Sequence, residues 1–179
     1  MTRENWVSTS TPYVAPRRHG QRDAWAEEAE ARGRVGSQRV VEVGEVTAPA
    51  EVTRKLGEPE GSSLVVRRRV IYLDDTPVEL TDTYYPLAVA RGTRLAQKAK
   101  IRGGAVTLLA ELGYEPRSVH EEVFARMPNG DERQVLGLGS VDPVLCLTRV
   151  TEDGVRPFQV DVSVFRATEQ RLRYDMKVG

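Results

Sequence analysis

Residues 64–85, LVVRRRVIYLDDTPVELTDTYY, are the stretch that most constrains the fold of this chain. Two runs of alternating polar and apolar residues flank a polar turn at Asp74-Asp75-Thr76, and Pro77 opens the second run. Alternation on both sides of a short polar turn is typical of a β-hairpin. Because the two strands of a hairpin are antiparallel, the stretch predicts an antiparallel sheet.

The same pattern recurs 80 positions later in the chain. Positions that correspond at this offset include Arg69 and Arg149, Pro77 and Pro157, Tyr85 and Phe165, and Leu56-Gly57 and Leu136-Gly137. We infer an internal pseudo-repeat, in which one unit of helix, strand, short helix and hairpin occurs twice.

The remaining elements follow from periodicity and from helix-ending glycines. Helices are predicted at 22–32, 49–56, 105–112 and 129–136, and a glycine follows each one. Strands are predicted at 40–46 and 118–127 besides the two hairpins, and the tail at 172–178 is a candidate for a further short strand. Residues 86–101 show no clean period. Helices mixed with hairpin-connected strands predict an α+β fold, an antiparallel β-sheet with flanking helices.

The first twenty residues differ in character from the rest. Residues 1–20 contain Pro12, Pro16 and a Ser/Thr-rich run without periodicity, which predicts a linker or extended arm. Trp6 and Tyr13 indicate that part of this arm lies on an apolar surface. Residues 21–179 are predicted to be a single folded domain.

Charge and composition exclude several classes of function. Lys+Arg and Asp+Glu both number 26, whereas a free-standing nucleic-acid binder usually has a basic excess. The single cysteine, Cys146, and the lack of a leader or a long apolar run predict a cytoplasmic protein. His19 and His120 lack the spacing of metal ligands, and there is no phosphate-binding glycine motif, so we predict neither a metal nor a cofactor.

Each hairpin has one apolar face and one polar face. The predicted core face of the second hairpin comprises Val144, Cys146, Val150, Phe158, Val160, Val162 and Val164. The candidate ligand-binding residues lie on the opposite face and comprise Arg67, Arg69, Ile71, Glu79, Thr81, Thr83, Tyr85, Arg149, Gln159, Asp161, Ser163 and Phe165. Arginine forks bind anions, hydroxyls and amides orient polar groups, and aromatic rings cover apolar parts of a small ligand. The alternative is a face that is simply exposed to solvent, which is common in antiparallel sheets.

The hairpins resemble the UTRA ligand-binding domain, the effector domain of the HutC subgroup of GntR-type bacterial transcription regulators. The resemblance rests on VVRRRVIYLDDTPVELTDTYYP and PVLCLTRVTEDGVRPFQVDVSVFRA, covers roughly residues 34–175, and is nearest in style to actinomycete members. It implies a chorismate-lyase-like fold with an internal cavity, a small-molecule effector and a homodimer. It also implies a preceding winged helix-turn-helix domain that would contact DNA, which nothing in this chain resembles.

The resemblance also assigns roles by position. The family's anion-binding arginine corresponds to Arg69, but its second arginine corresponds to Ile71. Its glutamate after the turn corresponds to Thr81, and the glutamate and tyrosine of its last strand correspond to Gln159 and Phe165. Because one arginine and two carboxylates are replaced, we expect an effector that is less charged and less like a sugar phosphate than the best-known ones.

Two other functions are consistent with the same residues. A lyase on this fold, acting on a chorismate-like acid, would use Arg69 and Arg149 to hold carboxylates and Glu79 as an acid. A pure interaction module would have a solvent-exposed polar face and no cavity. We predict a sensor rather than an enzyme, because the glutamates expected at Thr81 and Gln159 are missing.

Overall fold

The computed structural model describes residues 6–18 and 21–178. In chain order its elements are β1 (Trp6–Ser8), α1 (Thr11–Val14), α2 (Ala24–Glu30), β2 (Gly36–Thr47), α3 (Ala50–Leu56), β3 (Ser63–Leu73), β4 (Thr76–Pro86), α4 (Leu87–Ala90), a 3-10 turn (Arg94–Ala96), α5 (Ala105–Glu111), β5 (Ser118–Arg126), α6 (Gly130–Leu136), β6 (Val144–Glu152), β7 (Pro157–Arg166) and β8 (Gln170–Leu172). No helix in this part of the chain has the length and apolar character needed to cross a membrane.

Six strands form one antiparallel sheet in the order β2-β3-β4-β7-β6-β5. The sheet therefore consists of two three-stranded meanders joined by the central β4–β7 pair. The α+β prediction, an antiparallel sheet flanked by helices, is confirmed.

The two halves are related by an approximate two-fold at the sheet centre. In the β4–β7 pair, Thr81 lies opposite Ser163 and Thr83 lies opposite Asp161. An offset of 80 residues relates Thr81 to Asp161 and Thr83 to Ser163. The Thr81–Ser163 pair in one half therefore corresponds to the Asp161–Thr83 pair in the other half. Helices α3 and α6 also lie 80 residues apart and have the same length.

Both faces of the sheet are covered by other parts of the chain. On the outer face, Val52 of α3 packs with Leu64 and Val66 of β3, and Leu136 of α6 packs with Val144 of β6. The inner face is covered in two places. In the α5 cluster, Leu108 and Leu109 of α5 pack with Val65 and Tyr85. In the α2 cluster, Trp25 and Ala29 of α2 pack with Ile71 and Leu73. A solvent-exposed polar face is therefore excluded.

Phe158 occupies a different face from the one that alternation predicts. The register of β6 and β7 shifts between Thr151 and Glu152, which adds one residue to β7 at this point. Phe158 therefore does not share the outer face with Val160. Its ring packs on the inner face in the α5 cluster, where its centroid lies 5.7 Å from that of Tyr114.

The arm is ordered against the domain, whereas its composition predicts no regular structure. Strand β1 pairs in parallel with β8, and the Trp6 ring lies 5.0 Å from that of Trp25. Trp6 and Tyr13 pack on the α2 cluster, as their aromatic character predicts. Because β1 supplies the pairing partner, the last strand lies at Gln170–Leu172 and not at 172–178. Residues 1–5 and 19–20, including His19, lie outside the described residues.

Candidate functional site

A cavity of about 150 Å³ lies on the inner face of the central strands. Its other walls come from the arm, from α2 and from the segment between Lys100 and Val106. Eleven of the twelve predicted site residues line it, namely Arg67, Arg69, Ile71, Glu79, Thr81, Thr83, Tyr85, Arg149, Gln159, Asp161 and Ser163. Phe165 does not, because it lies opposite Glu79 at the arm side of the sheet, where it lines a smaller adjoining space with Ser8 and Ser10.

A chain of hydrogen bonds crosses the cavity wall at Thr83. Arg69 Nη2 donates to Thr83 Oγ1 at 2.9 Å, and Thr83 Oγ1 donates to Asp161 Oδ1 at 2.6 Å. Gln159 Nε2 donates to Asp161 Oδ2 at 2.7 Å, so both carboxylate oxygens of Asp161 accept from neutral donors. The chain links strands β3, β4 and β7 and fixes the side chains at the centre of the site.

Arg69 is the guanidinium with spare capacity for a ligand. Its Nη1 donates to Gln38 Oε1 at 3.3 Å, and its buried Nε has no hydrogen-bond partner. Its two acceptors are thus a hydroxyl and an amide, and no carboxylate of the described residues lies within 4.0 Å of it. A guanidinium that is hydrogen-bonded only to neutral groups can still bind an anion.

Arg149 is paired inside the protein. Its Nε donates to Glu121 Oε1 at 2.6 Å, and both side chains are almost fully buried. Ser10 of the arm donates to Glu121 Oε2 at 2.9 Å and accepts from Arg149 Nη2 at 3.3 Å. Burial raises the pKa of the Glu121 carboxyl, but the nearby Arg149 outweighs it and the pKa is lowered overall. This triad joins the cavity wall to the arm.

Glu79 lies beside a pair of hydroxyls. Thr81 donates to its carboxylate, and the Thr81 and Ser163 hydroxyl oxygens are 2.8 Å apart. Burial raises the pKa of the Glu79 carboxyl, and its hydroxyl partners and the positive charges of Arg69 and Arg149 offset this only in part. The side chain is in no ion pair with the Lys and Arg residues of the described chain.

Arg67 lines the cavity, but its guanidinium already serves the protein. Nη1 donates to the Leu95 and Gln97 carbonyls at 2.9 and 2.7 Å, and Nη2 donates to the Ala99 carbonyl at 2.8 Å. The residue is only 4% exposed, and burial lowers the pKa of its guanidinium. Arg67 therefore fixes the segment 86–101, whose sequence shows no periodicity. Tyr85 is likewise committed to the α5 cluster, and burial raises the pKa of its phenol.

Several lining residues were not predicted. They are Pro12, Tyr13, Arg17, Asp23, Ala24, Trp25, Gln38, Val40, Lys100, Ile101, Gly103, Gly104, Ala105 and Val106. Most belong to the arm, α2 and the turn before α5, which reach the sheet only by tertiary packing. Tyr13 and Trp25 could have been predicted to pack on the domain, because they are aromatic residues in polar parts of the sequence. Glu121 was missed because its role depends on the β5–β6 register, in which it faces Arg149.

The described residues contain no group of three or more His, Cys, Asp or Glu side chains placed to hold a metal ion.

Residues 31–171 match the family described as the UTRA domain. An uncharacterised HTH-type transcriptional regulator of Streptomyces coelicolor is 33% identical over 141 residues, which are 76% of this chain and 52% of the relative. The chain thus spans about half the length of that curated relative. Among solved structures, a GntR-family transcriptional regulator superposes with a TM-score of 0.82 at 21% identity, covering 98% of this chain and 71% of that one. The C-terminal domain of the histidine utilization repressor of Pseudomonas syringae gives 0.68 at 21% identity, covering 80% and 99%.

Replacing Arg67 with Met should destabilise the fold, because three carbonyls lose the donors that hold them. We expect a loss of about 3 kcal/mol in the free energy of unfolding, measured by urea denaturation. Arg68→Met is the matched control, since Arg68 is half-exposed on the outer face and its ion pairs with Glu42 and Asp82 contribute about 1 kcal/mol or less. Equal stability of the two variants would contradict the structural role of Arg67.

Proposed function

Because the chain belongs to the UTRA domain family, we propose that it is the effector-sensing part of a cytoplasmic GntR-type transcription regulator of the HutC subgroup. A small molecule would bind in the cavity and modulate DNA binding by an attached or partner winged helix-turn-helix domain. The observation that carries this proposal is a cavity in which Arg69 has no carboxylate partner among the described residues. A wall that served stability alone would have no use for such a charge.

The volume of the cavity limits the effector. A cavity of about 150 Å³ is of the size that encloses benzene in another protein, so a ligand of roughly six to ten non-hydrogen atoms fits best. A phosphorylated hexose is well above this size. One unpaired guanidinium also suits a single carboxylate better than a doubly charged phosphate. Both arguments support the sequence-based expectation of an effector unlike a sugar phosphate.

A sensing role fits the site better than a lyase. A chorismate-like acid carries two carboxylates, and Arg149, the second arginine available for them, is already paired with Glu121. The curated relative is described as a regulator, which agrees with a non-enzymatic role.

The arm is proposed as the connector that carries the signal. Tyr13 lines the cavity, and Ser10 contacts the Arg149–Glu121 pair that forms part of its wall. A ligand that displaced either group would alter how residues 6–14 lie on the domain. Since the arm precedes the domain in the chain, this would change the position of anything attached before it.

The edge strand β5 is proposed as a homodimer contact. It pairs with β6 on one side, and among the described residues no strand pairs with its other edge. Apolar side chains along it are unusually exposed, with Phe124 at 50% and Val123 at 43%. An open antiparallel edge can pair with its own copy across a two-fold axis, which would satisfy the backbone groups and cover these side chains.

Arg69→Ala should abolish effector binding and leave the fold intact. The assay is a thermal-shift screen of small metabolites, in which a compound at 100 times its Kd adds about 2.7 kcal/mol of stability. We expect no shift in Arg69→Ala and an unliganded stability within about 1 kcal/mol of wild type. Arg68→Ala, on the opposite face, should keep the full shift. Retained binding, or severe unfolding in Arg69→Ala, would contradict the assignment of Arg69.

Ser10→Ala should loosen the arm without unfolding the domain. Losing a hydrogen bond worth about 1 kcal/mol should speed amide hydrogen exchange over residues 6–14 roughly five-fold. Exchange in β3 and β4 should not change. Thr9→Ala, at the neighbouring exposed position, is the control. Identical exchange in the two variants would show that the Ser10 contact does not hold the arm.

Phe124→Glu should weaken self-association at least ten-fold, because it places a charge in the proposed strand–strand contact. Multi-angle light scattering over a concentration series measures this. Val155→Glu is the control, since Val155 lies in the turn before β7 and is 90% exposed. A monomeric wild type, or two variants that associate equally well, would refute the contact.

A further inference from the structure

The cavity wall contains two carboxylates that no cation contacts. Asp161 is 7% exposed and accepts hydrogen bonds only from the neutral Thr83 and Gln159 side chains. Glu79 accepts from Thr81. Within the described residues, neither carboxylate has a Lys or Arg nitrogen within 4.0 Å.

The arginines on the same wall do not compensate for these charges by contact. Arg67 donates to backbone carbonyls, and Arg149 is paired with Glu121. Arg69 donates to Thr83 and Gln38. Burying a charge without a partner is costly, and burial accordingly raises the pKa of the Glu79 carboxyl. A cationic ligand group placed here would relieve that cost.

The strand register places the two kinds of charge side by side. Thr81 of β4 lies opposite Arg69 of β3 and opposite Ser163 of β7. Glu79 lies two residues from Thr81 on one side of this row, opposite Ile71 and Phe165. Asp161 lies two residues from Ser163 on the other side of the row, opposite Thr83, to which Arg69 donates. Glu79 is therefore the carboxylate next to the Thr81 and Ser163 hydroxyls, and Asp161 belongs to the end of the cavity that Arg69 contacts.

We propose that Glu79 and the hydroxyls of Thr81 and Ser163 form a cation subsite next to Arg69, so that the effector is a small zwitterion with a protonated amine and a carboxylate. The carboxylate would bind Arg69, and the ammonium would lie among Glu79 and the two hydroxyls. An ammonium has three donors, which matches a wall of carboxylate and hydroxyl acceptors. This inference rests on the proposed sensing function and specifies its ligand.

The inference explains the replacements seen in the sequence. The family's glutamates correspond to Thr81 and Gln159, which by themselves would leave no carboxylate for an amine. In the fold, the Glu79 carboxylate lies next to Thr81 on the same wall and supplies that charge. A zwitterion also has no net charge, which agrees with the expected weakly charged effector.

The test uses matched probes that differ in one group. The amino acids L-leucine, L-serine and 4-aminobutyrate are compared with the hydroxy acids 2-hydroxyisocaproate, glycerate and 4-hydroxybutyrate and with the amines isoamylamine, ethanolamine and propylamine. Neutral sugars form a further arm, and binding is measured by thermal shift and calorimetry. We expect at least one amino acid to bind, with its hydroxy acid and its amine each at least ten-fold weaker.

Variants then assign the subsite. Glu79→Gln, which keeps side-chain size, should weaken binding of the amino acid at least ten-fold and change the affinity of its hydroxy acid less than three-fold. Glu42→Gln, on the outer face, should change neither. Equal affinity for amino acid and hydroxy acid, or equal losses for both in Glu79→Gln, would overturn the cation subsite.

The outcomes also separate this inference from the sensing function. Binding of hydroxy acids or neutral sugars without amino acids would reject the zwitterion and retain a sensor. The absence of a shift with every compound would count against both.

Discussion

The structure depends on the pairing of β4 with β7, because this pair joins the two meanders and sets the face of every central side chain. A strand has a side-chain period of two, so a slip of one residue would turn Thr81, Thr83, Asp161 and Ser163 toward α3 and α6. In the observed register these four residues are buried on the inner face and hydrogen-bonded across the strands. The polar contacts thus reinforce the register that creates the cavity.

A polar face buried in this way is a poor means of stabilising a sheet, since each buried polar group must find a partner. The outer face avoids this requirement, because apolar residues of α3 and α6 pack there on Val and Leu side chains. The inner face instead combines apolar packing under α2 and α5 with a polar centre. Arg67 closes one side of that centre by fixing the carbonyls that follow α4. Burial of polar groups around a space is the arrangement that the proposed effector binding would require.

Periodicity was sufficient to predict the six strands of the main sheet, helices α2, α3, α5 and α6, the fold class and eleven residues that line the cavity. It was insufficient wherever a position depends on register or on distant packing. Phe158 changes face because of a bulge that leaves the alternating pattern of the sequence intact. Glu121 acquires its role only through its cross-strand partner Arg149. The arm was predicted to be extended because its composition is that of a linker, whereas Trp6 and strand pairing hold it in place.

The two halves differ most in the surroundings of their equivalent arginines, Arg69 and Arg149. The edge strand next to Arg149 places Glu121 opposite it, whereas the edge strand next to Arg69 places Val40 opposite it. A bulge after Val40 also shifts the register of β2, so no acidic residue takes the position that Glu121 holds in the other half. One arginine is consequently neutralised and linked to the arm through Ser10, and the other keeps binding capacity. The approximate two-fold supplies two arginines near one cavity. In the proposed function, the difference between β2 and β5 would give one arginine a binding role and the other a role in transmitting the signal.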